Sequence, residues 1–64
     1  MQIERINKTY LSKTEAYEIG QKHGIEELPA IGYETLIVPA IASKRVTQAL
    51  GKDKSGYYIE TLII

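Results

Sequence analysis

Residues 11–25 constrain the fold most, because several independent local rules agree there. Ser12-Lys13-Thr14-Glu15 has the spacing of a capping box: the Ser12 hydroxyl accepts from the Glu15 N–H, and the Glu15 carboxylate accepts from the Ser12 N–H. Leu11 and Ala16 flank it where a hydrophobic staple closes. Ala16, Ile19, Gly20 and His23 recur at i, i+3, i+4 and i+7, one stripe of a helix. Gly24 suits the left-handed residue after a helix, and Ile25 suits the apolar residue that folds back toward Ile19. The pattern predicts a helix over 13–23.

Around it the chain reads as strands and one more helix. A short strand is expected at 3–6, with Asn7-Lys8 as a bend. Pro29 turns the chain after the first helix, since it disfavours helical Leu28 and lacks an N–H. Residues 33–38 are rich in strand formers, and the run Leu36-Ile37-Val38 suits a strand buried on both faces and stopped by Pro39. Ser43 is a usable cap for a second helix, with Ala42, Val46, Ala49 and Leu50 on one side and Gly51 as its terminator. Lys52-Asp53-Lys54-Ser55-Gly56 is turn chemistry. Residues 57–64 form a last strand, with Tyr57, Ile59, Thr61 and Ile63 on one face and Tyr58, Glu60, Leu62 and Ile64 on the other. The expectation is an α+β fold: two short helices on a small three-stranded sheet, compatible with a winged-helix arrangement.

At 64 residues the chain makes one domain, 1–64, with a small core. Oligomerisation often supports domains of this size, so a homodimer stays open. There is no cysteine, which excludes thiol chemistry and suits a reducing compartment. No apolar run reaches the length of a membrane span, and the amino terminus lacks the apolar region of a signal peptide. A soluble cytoplasmic protein with no membrane partner is expected.

The composition argues against an enzyme. His23 is the sole histidine and falls where its cation would meet the helix dipole. Glu26-Glu27 is a solvated pair in a turn, and the glycines lack the spacing of a phosphate loop. No cofactor, metal or catalytic residue is expected. Net charge is zero but unevenly spread: residues 9–34 carry two lysines against five glutamates, and residues 35–59 carry Lys44, Arg45, Lys52 and Lys54 against Asp53. Lys44, Arg45, Lys52 and Lys54 are therefore candidates for phosphate contacts, and Gln48 for a base edge. All five aromatic residues are tyrosines. Tyr57 and Tyr58 face opposite sides of the last strand, which makes one of them a candidate protein-interface anchor.

Tyr10-Leu11-Ser12, Glu15-Ala16 and Ile19-Gly20 resemble the opening helix of small winged helix-turn-helix proteins of the excisionase and MerR-like type. Leu28-Pro29-Ala30-Ile31, Gly32, Ile37-Val38-Pro39 and Ala49-Leu50 resemble the wing and closing helix, so the resemblance spans about residues 10–50. Only Gly24-Ile25-Glu26-Glu27-Leu28 stands where that family has its recognition helix. A second register instead makes 43–50 the recognition helix and 52–64 the wing. The resemblance implies a small DNA-binding accessory or regulatory protein, of the kind found in phages and mobile elements. The alternative is a protein-binding module or inhibitor that occupies a partner's surface, using the C-terminal strand as a sheet edge and Tyr57 or Tyr58 as its anchor.

Overall fold

The computed structural model describes residues 3–37 and 46–63. Its elements run β1 (Glu4–Leu11), α1 (Lys13–Lys22), β2 (Glu34–Ile37), β3 (Val46–Asp53) and β4 (Gly56–Ile63). The four strands form one antiparallel sheet in the order β1-β4-β3-β2. β2, β3 and β4 are a meander, and β1 closes onto β4 from the other side.

α1 forms as its local signals require. Ser12 Oγ accepts from the Glu15 N–H at 3.1 Å, and Glu15 Oε1 accepts from the Ser12 N–H at 3.0 Å. The helix stops at Gly24, with φ of +75°. The Ile25 N–H donates to the Gly20 carbonyl (2.7 Å) and the Gly24 N–H to that of Gln21 (3.2 Å), the paired bonds of a Schellman motif. Ala16 and Gly20 are the buried positions of α1. The absent Cβ of Gly20 leaves room for Leu28 and Ile25, which sit at ordinary contact distance from where it would be.

One face of the sheet packs under α1. Ala16, Ile37 and Leu50 are its buried centre, bordered by Leu11, Ile19, Ile25, Leu28, Tyr57 and Ile59. The register explains the grouping, since Leu50 pairs with Ile59 and Leu11 with Tyr57, so these side chains share a face.

Several expectations are corrected. The second helix does not form over its described part: Val46 to Leu50 belong to β3, which pairs with β2 on one side and β4 on the other. Its proposed start, Ala42 and Ser43, lies outside the described residues, as do Val38 and Pro39. Gly51 is a strand residue opposite Tyr58, not a helix terminator. The fold is therefore one helix on a four-stranded sheet among the described residues, not two helices on three strands. The winged helix-turn-helix resemblance fails with it, because among the described residues no helix follows α1 and residues 46–50 are pleated. The bend expected at Asn7-Lys8 is instead a bulge between Arg5 and Asn7, after which β1 continues to Leu11. Among the described residues β2 is an edge strand, and Leu36 is exposed, so it is not buried on both faces. β4 is interior to the sheet, between β1 and β3.

Candidate functional site

The sequence-derived basic residues do not assemble on a recognition helix. Lys44 and Arg45 lie outside the described residues. Gln48 and Lys52 are on β3, on the same face as Leu50 by strand alternation. The Lys52 ammonium lies 4.7 Å from the centre of the Tyr57 ring. Lys54 is exposed in the β3–β4 turn, a tight hairpin in which the Asp53 carboxylate accepts from the Ser55 N–H and Gly56 takes a φ of +126°. The two tyrosines separate as the alternation requires. Tyr57 borders the helix-side core, and Tyr58 is buried on the opposite face. β4 is hydrogen-bonded to β1 and to β3, so the edge-pairing role expected of the C-terminal strand falls to other strands.

The face away from α1 is held by a polar network that the sequence did not announce. Arg5 of β1 reaches across the sheet to Glu34 of β2 with two bonds, Nη1 to Oε2 at 3.2 Å and Nη2 to Oε1 at 3.0 Å. The same guanidinium donates to Glu60 of β4 at 2.6 Å. Glu60 is only 6% exposed, and Arg5 is its cation. The Tyr58 hydroxyl donates to Glu34 at 3.2 Å. Beside it, the Tyr10 hydroxyl donates to Asp53 at 2.8 Å, and Lys8 lies 3.5 Å from the same carboxylate and 4.3 Å from the Tyr58 ring centre. Tyr10 and Tyr58 meet edge to face. Under this roof Ala49 and Leu62 are fully buried.

Gly51 makes the arrangement possible. A Cβ there would overlap the Tyr58 ring and hydroxyl. The electrostatics follow from the contacts. Hydrogen bonds to Glu34 and then Glu60 raise the Arg5 pKa further above its already high ordinary value. Its hydrogen bonds hold the Glu34 carboxyl below the usual carboxylate range. The Tyr10 hydroxyl does the same for Asp53, and burial pushes the Tyr58 phenol up. Each of these groups is engaged by a neighbour in the same chain, so the network works as a clamp between strands.

The accessible apolar surface lies elsewhere. Seven large apolar residues are exposed among those described: Ile3, Ile6 and Tyr10 on or beside β1, Tyr17 on α1, and Ile31, Tyr33 and Leu36 on or beside β2. Six of the seven thus mark the two sheet edges. The β2 group is the densest, with Ile31 at 57%, Tyr33 at 70% and Leu36 at 57% exposure within six residues. The chain there is well fixed. The Gly32 N–H donates to the Lys52 carbonyl (2.9 Å), the Tyr33 N–H to the Ala30 carbonyl (2.9 Å), and Gly32 has φ of +88°. Near the end of α1, Tyr17, Gln21, Gly24, Ile25 and Glu26 line an open depression. His23 caps α1. No helix among the described residues is long and apolar enough to cross a membrane.

Comparison with known protein families, curated proteins and solved structures returned no match.

The Ile31, Tyr33 and Leu36 group was missed because Leu36-Ile37-Val38 read as one buried run. Alternation about a buried Ile37 was the available signal: it puts Leu36 on the other face of β2. Arg5 and Glu34 carry no local signal at all, since 29 residues separate them.

Proposed function

We propose that this domain is a non-catalytic protein-binding module that engages its partner along the β2 edge, with Ile31, Tyr33 and Leu36 as the contacting side chains. The observation that carries this is their exposure, which is the highest among the large apolar residues described and is concentrated on one short edge segment. Apolar and aromatic side chains exposed along a supported sheet edge are what strand-mediated protein interfaces use, and tyrosine is a frequent hot spot. The support is supplied here by the Gly32 and Tyr33 backbone bonds and by Arg5, which ties β2 to β1 through Glu34. The zero net charge suits a protein partner better than a polyanion. The absence of cysteine suits a reducing compartment. The DNA-binding regulator expected from the winged-helix resemblance is set aside, because the second helix it needs is replaced by β3.

A photo-crosslinking amino acid placed at Tyr33 in the native host tests the proposal. A discrete protein adduct is expected at this position and not from the same probe at Glu4, at the opposite corner of the sheet. The captured partner should then bind the Tyr33→Ser, Leu36→Ser double variant at least about tenfold more weakly, as expected when a hot-spot pair is removed. Equal capture from both positions, or undiminished binding by the folded double variant, refutes it.

A further inference from the structure

The open edge of β1 can be assigned atom by atom. Lys52 donates its N–H to the Tyr33 carbonyl and accepts at its own carbonyl from Gly32, so both its backbone groups point toward the β2 side. In an antiparallel sheet this direction alternates residue by residue. Gly51 and Ala49 therefore point toward β4, where they pair with Tyr58 and Glu60. Tyr57, Ile59 and Thr61 then point toward β1, where they pair with Leu11, Thr9 and Asn7. Within residues 7–11 the residues left over are Lys8 and Tyr10. Their N–H and C=O groups face away from the sheet, on an edge that no described strand covers.

We infer that this edge pairs with the same edge of a second copy of the chain, two β1 strands running antiparallel about a two-fold axis at Thr9. In one register this edge is complementary to itself. Outward-facing residues must meet outward-facing residues. Centring the axis at Lys8 would set two lysines directly opposite, which is repulsive. Centring it at Tyr10 would pair Lys8 with Ser12, where the chain is already turning into α1. Centring it at Thr9 sets Lys8 against Tyr10 of the second copy twice, each pair exchanging both backbone hydrogen bonds. The ammonium then lies beside an aromatic ring.

Thr9 meets Thr9 of the second copy as a non-hydrogen-bonded pair, in which side chains come closest. The charges on β1 do not oppose the seam. Lys8 is matched by Asp53, and Arg5 by Glu34 and Glu60. The bulge between Arg5 and Asn7 limits the seam to residues 7–11, so the dimer is a weak one that forms as concentration rises. This pairing uses the edge opposite to β2 and does not depend on the function proposed there.

Three measurements on the full chain test it. Sedimentation of the wild type should show a concentration-dependent monomer–dimer equilibrium. The Lys8 and Tyr10 amides should exchange more slowly as concentration rises, while those of Glu34 and Leu36 stay unchanged. Because the chain has no cysteine, Thr9→Cys should oxidise to a covalent dimer much faster than Lys54→Cys. Tyr10→Lys sets lysines opposite lysines and should shift the equilibrium to monomer. If that variant proves unfolded by circular dichroism, the cysteine pair decides. A wild type that stays monomeric at every concentration, or equal oxidation at positions 9 and 54, overturns the inference.

Discussion

The two faces of the sheet exclude water by different means. Under α1, burial is apolar throughout: Leu50, Ile37 and Ala16 fill the centre and aliphatic side chains from the helix and the 25–28 segment complete it. On the other face, Ala49 and Leu62 are just as inaccessible. There the cover is the Arg5, Glu34 and Glu60 cluster with Tyr58, Tyr10 and Lys8. The helix side depends on area removed from water, which carries no titrating group. The polar side depends on geometry and charge, so it is specific and conditional. The one helix among the described residues covers a single face of the sheet, and long polar and charged side chains cover the other.

Substituting Leu50 gives the largest effect, because it breaks the apolar face at its centre. Leu50→Ala should cost about 2–5 kcal/mol. A domain of this length has only about 3–10 kcal/mol in all, so urea unfolding should find the variant close to or beyond its limit. A midpoint near that of the wild type would show that α1 does not supply the main core.

Gly51→Ala attacks the polar face from beneath. The new methyl would enter the space of the Tyr58 ring and displace it from Glu34 and Tyr10, at a cost of roughly 1–3 kcal/mol. The Gly51→Ala, Tyr58→Ala pair should lose less than the two single losses added together, since the clash is gone. Strict additivity in denaturant melts would separate the glycine from the ring.

Arg5→Ala sharpens the comparison through pH. It strands the buried Glu60 and frees Glu34, and should cost about 1–2 kcal/mol, reduced from a fully buried pair because the guanidinium is half exposed. Glu34 is held below its ordinary value of 4.5, so its contribution to stability is present above that pH and lost as pH falls through the lower folded value. Wild-type stability should therefore decline in acid, and the Arg5→Ala variant should decline less over the same range. Parallel pH profiles for the two proteins would rule out the clamp as the source of acid sensitivity.

The sequence by itself determined α1. Both ends of that helix are set by residues within a few positions of each other: Ser12 with Glu15, and Gly24 with Gln21, Gly20 and Ile25. The β3–β4 turn and the alternation of β4 were legible for the same reason, as Asp53, Ser55 and Gly56 settle the turn locally.

Only the tertiary structure decided residues 46–53. Val46, Ala49 and Leu50 are spaced as one helix face, yet Ala49 and Leu50 are buried on opposite sides of a strand. A strand covered on both faces loses the polar–apolar alternation that would announce it, and helical spacing then appears by accident. Gly51, which looks like a helix stop, is small because the Tyr58 ring lies on it. The clamp and the exposed edges were equally hidden. Arg5 meets Glu34 only after β1, β4, β3 and β2 have taken their order, and which strands are edges is a property of that order alone.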